Sequence, residues 1–408
     1  MSGPVQPWLS MIGLHEDGLD GLGVTARRLV DGAETLIGDA RMLALVADDG
    51  RERLMWPKPL TALFPEIERR RGRPVCVLAS GDPLNYGIAA LITAHFAPGY
   101  WVIMPAPSAF SLACARLGWP HSTVEILSLH NRPLAALAGF IRPNARLVVL
   151  TRDGSTPAAA ASLLTELGYG ASAITVFERM AGPHEARLEG RADAWSYDRL
   201  DDLNVMAIAC AASGAALVLG CAPGLPDEAF FSDGMITKRE ARALTVSALM
   251  PQPAQILWDV GAGCGTVGIE WLRAAGQRSR VLAIESEPSR CAMIAANRAR
   301  FGAVRLEIIA GSAPDALSGL VVPDAVFIGG GLTVPGVFDA SLLALRPGGV
   351  MVVNTVTLEG ERMLLEFHHR LGGELMRLAV ARASALGRQA TLRPQLPLTQ
   401  WTFRKPIL

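Results

Sequence analysis

"ILWDVGAGCGTVGIE", residues 256–270, changes character twice. An apolar run ends at Asp259, Gly261, Gly263 and Gly265 fall within five positions, and a helical pattern then takes over. A strand that breaks into a glycine loop and restarts as a helix is suited to holding a ligand. Glycine adopts positive φ and lets backbone come close where a Cβ would clash. The helix beginning near Thr266 turns its unpaired N–H groups toward whatever the loop holds. Gly263, Gly265 and Gly268 also spell G-x-G-x-x-G, the dinucleotide fingerprint. The next strand, "RVLAIESEP" (280–288), ends at Glu285, a carboxylate placed to accept from ribose hydroxyls. Neither feature alone separates a dinucleotide from another adenosyl ligand.

The layout around the loop separates them. Strands read at 256–260, 280–285, 304–309, 324–328 and 349–354, with helices between them and a long helix around 359–371. "LMRLAVARA" (375–383) and "LTQWTFRK" (398–405) then read as a closing antiparallel pair. A dehydrogenase would use a sixth parallel strand and a separate substrate domain, for which no residues remain. Five parallel strands followed by a hairpin suit a methyltransferase that binds S-adenosylmethionine.

With 408 residues, half of them hydrophobic, and a mean hydropathy of +0.29, the chain has material for two or three domains with large cores. Basic and acidic residues balance at 38 each, so no field draws nucleic acid or anionic lipid. The patch "RRRGR" (69–73) reads as a solvated helix end. Six scattered cysteines without a C-x-x-C pair point to reduced thiols in a cytoplasm, not to disulfides or zinc. His368 and His369 are helix neighbours facing different ways, so no metal site is expected. "VMAIACAASGAALVLGCA" (205–222) is uncharged but rich in Ala, Gly and Ser, and reads as a buried strand entering a linker, not a membrane span. "AASGAALVLGCAPGLP" (211–226) is the domain boundary, between residues 1–210 and 227–408.

The first half also alternates β-branched runs with helical patterns, so both halves read as α/β with largely parallel sheets. "WLSMIGL" (8–14) leads into the loop "HEDGLDGLG", and "PVCVLAS" (74–80) runs into "GDPLNYG". "YWVIMPA", "ARLVVLT", "SAITVFERM" and "LNVMAIAC" supply further strands. "RDGSTPAAAASLLTELG" (152–168) is a helix started by proline and ended by Gly168.

In the second half "DVGAGCG", "AIESEP", "AGSAP" (310–314), "FIGGG" (327–331) and "LRPGGVMVVNTVTLE" (345–359) resemble the successive motifs of class I methyltransferases. "MITKREARAL" (235–244) and "FIGGG" are similar to the decarboxylating C15-methyltransferase module of cobalamin synthesis. This resemblance implies that Gly261, Gly263, Gly265 and Glu285 bind S-adenosylmethionine. Ser312 and Ala313 would lie along its adenine, and Thr237 would close over it. Gly329, Gly330 and Gly331 would leave an open floor for a bulky substrate. Amide and adenine methyltransferases put Asn or Asp with Pro-Pro and an aromatic at that place.

In the first half "LASGDPLNYGI" (78–88) and "MPAPSAFSLACARLGWP" (104–120) resemble the G-D-P and Pro-x-x-Ser segments of class III tetrapyrrole methylases, and "SLHNRP" (128–133) and "FERMAGPHEAR" (177–187) resemble their C5-methylating precorrin branch. In that family the donor lies in a cleft between two α/β subdomains. By carry-over, Gly81 and Asp82 touch the cofactor, Ser108, Ala109, Met180 and Ala207 line the cleft, and His130 and Arg132 face the substrate. The family's opening G-x-G-P-G is replaced here by "GLHEDG" (13–18), which leaves His15 and Asp17 without a family role.

A class III tetrapyrrole methylase domain joined to a class I Rossmann-like domain resembles the decarboxylating precorrin-6B C5,15-methyltransferase family. The resemblance implies two S-adenosylmethionine sites, C5 methylation by residues 1–210, and C15 methylation with loss of the C12 acetate carboxyl by residues 227–408. The product would be precorrin-8X. Lys238 and Arg239 would grip carboxylates of a tetrapyrrole substrate. No catalytic acid or base is singled out, and self-association is expected because relatives of both modules tend toward it. The other readings are an RNA or protein methyltransferase, and an S-adenosylmethionine-sensing module without catalysis.

Overall fold

The computed structural model describes residues 7–214, 216–220, 222–276 and 278–407. The chain forms two compact units, one made of residues up to 134 with 141–216, the other of 135–140 with 217–408. The division between 216 and 217 falls inside the expected linker. The later part of that linker is not free chain, because Leu217, Leu219 and Leu225 pack on the second unit's core.

The first unit holds two sheets. One consists of β1 (Leu9–Leu14), β2 (Thr35–Gly38), β3 (Glu52–Met55), β4 (Val75–Ser80) and β5 (Trp101–Met104), in the order β3-β2-β4-β1-β5. All its pairings are parallel. The carboxyl ends of β1, β4 and β5 therefore lie side by side, the edge where α/β sheets hold ligands. The other sheet consists of β6 (Glu125–Ser128), β7 (Arg146–Leu150), β8 (Ala173–Glu178), β9 (Ala186–Arg191) and β10 (Asn204–Ala209), in the order β6-β7-β10-β8-β9.

Only β6 and β7 pair in parallel there, and the remaining pairings are antiparallel. This corrects the expectation of a largely parallel sheet. Residues 179–185, which join β8 to β9, are too few for a parallel crossover, which needs a dozen or more. β9 also alternates exposed and half-buried side chains, as an edge strand with one wet face should.

The second unit is one seven-stranded sheet. Its strands are β11 (Ile256–Val260), β12 (Arg280–Glu285), β13 (Leu306–Ala310), β14 (Ala325–Ile328), β15 (Val350–Thr355), β16 (Glu374–Leu378) and β19 (Leu398–Arg404), in the order β13-β12-β11-β14-β15-β19-β16. A hairpin of β17 (Ala381–Leu386) and β18 (Gln389–Pro394) stands apart as its own two-stranded sheet. The four inner parallel strands, β11, β12, β14 and β15, are buried on both faces and read as apolar runs, while the edge strand β13 exposes Glu307 and Ala310. Leu257, Val281, Phe327 and Val352 feed one core, while Trp258, Leu282, Val326 and Met351 feed the other. The expected closing strand 375–383 is in fact split between β16 and β17, and only β16 joins β19.

No helix among the described residues is long and apolar enough to cross a membrane. Each outer arginine of the 69–73 patch faces an acid: Arg69 to Glu66, Arg70 to Glu52 and Glu66, Arg71 to Glu68, and Arg73 to Glu34.

Candidate functional site

In the second unit the glycine loop follows β11 and starts the helix Thr266–Ala275. Gly261, Gly263 and Gly265 have φ of 68°, 60° and 79°, the left-handed region where a side chain is strained. Gly261 has a second reason to be glycine. A Cβ there would stand 2.7 Å from the Cα of Gly330, so the loops after β11 and β14 meet backbone to backbone. Gly329 is restricted differently, since its Cβ would run into the Phe327 ring. The glycines of 329–331 thus let two loops close on each other, whatever else they admit.

Glu285 ends β12 and is buried. Its Oε2 accepts from the Gly263 N–H at 2.8 Å, and its Oε1 accepts from the N–H groups of Ser286 and Glu287 at 2.9 and 3.0 Å. The carboxylate is fixed by three backbone donors beside the loop. A carboxylate has about four lone-pair sites, so about one remains for a ligand hydroxyl. These residues fit the ribose of S-adenosylmethionine.

Asp259 lies beneath the loop. Its Oδ2 accepts from the Gly268 N–H at 2.9 Å, while its Oδ1 is buried without a partner. Burial, with Glu285 nearby, pushes its carboxyl up to about 7. Cys264, inside the loop, is buried, and that burial pushes the thiol up to about 11, so it is no nucleophile at neutral pH.

The segment 231–237 runs over the loop, with the Met235 carbonyl 3.7 Å from where a Cβ of Gly263 would stand. Two buried residues that the sequence reading missed hold this segment. Asn297 donates to the carbonyls of Phe231 and Cys264, both at 2.9 Å, and accepts from the Phe231 N–H at 2.8 Å. Arg242 donates to the Thr237 carbonyl at 2.5 Å, to Glu270 at 2.6 Å and to Asp227 at 3.0 Å, and also to the Leu225 carbonyl. The signal was present: Ala241, Arg242, Thr245 and Val246 form the buried stripe of the helix Arg239–Ala248, and a charge on that stripe requires partners. At the end of β15 the Asn354 amide donates to Thr245 at 2.7 Å, and the Gln400 amide donates to the Asn354 carbonyl at 2.9 Å.

The other expected residues fall around this loop. Ser312 and Ala313 follow β13, where the Gly311 N–H donates to the Glu285 carbonyl at 2.9 Å. Lys238 is the cap residue of the helix Arg239–Ala248 and gives no side-chain cap bond, and Arg239 is exposed.

In the first unit a cleft of about 900 Å³ is lined from both sheets. Gly81, Asp82, Ser108, Ala109, Met180, His130 and Arg132 all line it. Three strand ends make its floor. The Gly81 N–H donates to the Leu14 carbonyl at 2.8 Å, and the Ala106 N–H donates to the Gly81 carbonyl at 3.3 Å. A Cβ on Gly13 would overlap that carbonyl at 1.9 Å. Gly81 itself has φ 62°, with the Pro107 carbonyl 3.3 Å from its absent Cβ.

Two expected contacts turn out to have local tasks. Asp82 Oδ1 accepts from the Leu84 N–H at 2.9 Å, which fixes its own turn. Ser108 caps the helix Ala109–Leu117 by accepting from the Ser111 N–H at 3.1 Å. Ala207 sits in the middle of β10, two residues beyond the cleft-lining Val205 on the same strand face, buried against Phe110, Val148 and Phe177.

The chain is similar to known proteins along almost its whole length. Residues 9–194 match the tetrapyrrole (corrin/porphyrin) methylases, and residues 228–405 match the precorrin methyltransferase domain. A precorrin-6Y C(5,15)-methyltransferase [decarboxylating] from a Sinorhizobium species is 43% identical over 98% of this chain and 97% of its own length. The protein of the same description from Mycobacterium tuberculosis is 40% identical over 97% of this chain and 99% of its own. Among solved structures, the C-terminal domain of precorrin-6Y C5,15-methyltransferase from Rhodobacter capsulatus is 40% identical, with TM-score 0.44, over 46% of this chain and all of that one. The glycine loop with its fixed carboxylate, and the cleft with its G-D-P floor, sit in a chain that belongs to the decarboxylating precorrin-6Y C(5,15)-methyltransferase family.

Proposed function

We propose that the chain binds S-adenosylmethionine twice, once in each unit, and performs two methyl transfers and one decarboxylation on a precorrin macrocycle. Residues 227–408 methylate C15 and release the C12 acetate carboxyl, and residues 1–210 methylate C5. The relatives' printed description and the precorrin-6B reading of the motifs agree on both positions and on the loss of CO2. The donor supplies a methyl group already activated by its sulfonium.

The protein then has to orient the donor and keep water out. In the second unit Gly261, Gly263 and Gly265 bring backbone against the donor, Glu285 accepts from its ribose, Ser312 and Ala313 flank its adenine, and Thr237 covers it. Arg242 holds that cover through the Thr237 carbonyl. Lys238 and Arg239 at this site, and His130 and Arg132 at the cleft, meet peripheral carboxylates of the substrate.

The observation that carries the reading is the Glu285 carboxylate locked beside three positive-φ glycines. Gly261→Val tests it, because the new side chain meets the Gly330 backbone. The product, weighed by mass spectrometry, should gain one methyl and keep its carboxyl. Two methyls with loss of CO2 would refute the division of labour.

A further inference from the structure

The C5 transfer leaves one chemical task unassigned. Methylating an unsaturated ring carbon that stays unsaturated replaces hydrogen by methyl. The new C–C bond forms from the ring's electron pair as the S–C bond breaks, giving a cationic macrocycle whose carbon carries both hydrogen and methyl. A proton must then leave, and the C–H electron pair returns to the ring. The balance is one donor and one C–H in, one demethylated donor, one C–CH3 and one proton out. In the first unit that proton needs a receiver at the cleft.

His15 stands at the place where a receiver is needed. It follows Leu14, the last residue of β1, whose carbonyl accepts from Gly81 in the cleft floor. It lines the cleft. Its Nε2 is closed to solvent and has no hydrogen-bond partner, so the other edge of the ring, with Nδ1, meets the cleft. The neutral ring that accepts at Nδ1 carries its own proton on the buried Nε2, and burial of the ring disfavours the added charge of the cation.

The other charged groups of the cleft are largely occupied. Glu16 pairs with Arg41 and lies 3.8 Å from Arg179, which in turn bonds Asp201 at 2.7 Å. Asp39 caps a helix through the Met42 N–H, Asp82 fixes its turn, and Asp202 accepts from the Gly154 N–H. Lys58, Arg132 and Arg152 are cations and cannot accept a proton. Asp17, on the same loop, and His130, the other imidazole on the cleft wall, are both exposed to solvent.

We propose that His15 is the proton acceptor of the C5 methyl transfer, taking the hydrogen displaced by the incoming methyl at Nδ1 and passing it to solvent. This rests on the assignment of C5 methylation to the cleft. Burial holds the His15 pKa below its usual 6.5, against a smaller upward pull from Asp17. The neutral, working form therefore dominates at pH 7. The C5 rate falls as pH drops through a midpoint under 6.5.

The test follows single-turnover C5 methylation by mass spectrometry in the full chain, with His15→Gln, His15→Asn and Gly81→Val. His15→Gln should slow the C5 step by about 10²–10⁴-fold and remove its acid limb. It should raise the isotope effect with substrate deuterated at C5, and leave binding of S-adenosylhomocysteine within twofold. Independently of turnover, carbethoxylation of wild-type His15 by diethyl pyrocarbonate should be suppressed when substrate and S-adenosylhomocysteine fill the cleft. A C5 rate within threefold of wild type in both His15 variants, or an acid limb that survives in His15→Gln, overturns the proposal. Gly81→Val separates the two levels. If it still methylates C5, the cleft is not the C5 site and the proposal falls with that reading. If it loses C5 methylation while the His15 variants keep it, only the role of His15 fails.

Discussion

The loop after β11 takes most of its shape from the chain beside it, with Gly330 packed on Gly261 and Asn297 bonded to Cys264 from farther off. Three positive-φ glycines lie within five residues, the Gly268 N–H reaches back to Asp259, and the next strand delivers Glu285 to Gly263. The turn after β4 is held by strangers. Its Gly81 is fixed by β1 on one side and by the chain leaving β5 on the other, and the walls above it come from a second sheet. One site is a motif, the other an assembly. A motif concentrates its energetics in a few residues, so single changes there should be severe. An assembly spreads them, so most single changes at the cleft should be mild.

The largest effect expected from this contrast is at Arg242. Its buried guanidinium neutralises Glu270 and reaches Asp227 under the segment that covers the glycine loop. Arg242→Met leaves buried carboxylate uncompensated and should destabilise the second unit by about 3–5 kcal/mol in denaturant titration. A loss below 1 kcal/mol would mean that the cover is not hung on this residue.

Asp259 comes next. Its carboxyl is raised from 3.8 to about 7, so the folded second unit binds a proton that the unfolded chain has released. Stability contributed by the protonated form is fully present below about pH 4, and it is lost as pH rises through about 7, by at most about 4 kcal/mol. Asp259→Asn should flatten that slope. Unfolding followed between pH 4.5 and 8 decides it, and an unchanged slope contradicts the burial of this acid.

Glu285→Gln keeps an acceptor for the Gly263 N–H but removes the charge. Affinity for S-adenosylhomocysteine at the second unit should fall about 10–100-fold, the worth of about 1.5–3 kcal/mol for hydrogen bonds to a charged group. Calorimetry should find the first unit untouched. The smallest effect is at Asp82, because Asn forms the same local turn. Asp82→Asn should leave first-unit affinity within threefold, and a tenfold loss would show the carboxylate itself on the ligand.

The same contrast explains what the sequence displayed. β11 and β12 were legible to the residue, because buried parallel strands are written as unbroken apolar runs ending in a glycine loop or an acid. The hairpin β17–β18 was hidden, since "LMRLAVARA" is apolar enough to pass for one strand while its second half is largely exposed. Short β6 and the alternating edge strand β9 carried too little apolar pattern to stand out. Asn297 stands between Ala296 and Arg298 in a helix whose last turns are rich in arginine. Its burial becomes visible only when Phe231, 66 residues away, is brought to it. Ala207, carried to the cleft by family pattern, lies buried two residues beyond the cleft-lining Val205 on the same strand face.

The central claim is that each unit holds its own methyl donor. Titrating the intact chain with S-adenosylhomocysteine in a calorimeter measures it directly. The account predicts two molecules bound per chain, falling to one in Gly261→Val. A stoichiometry of one in the wild type, abolished by Gly261→Val, would contradict it.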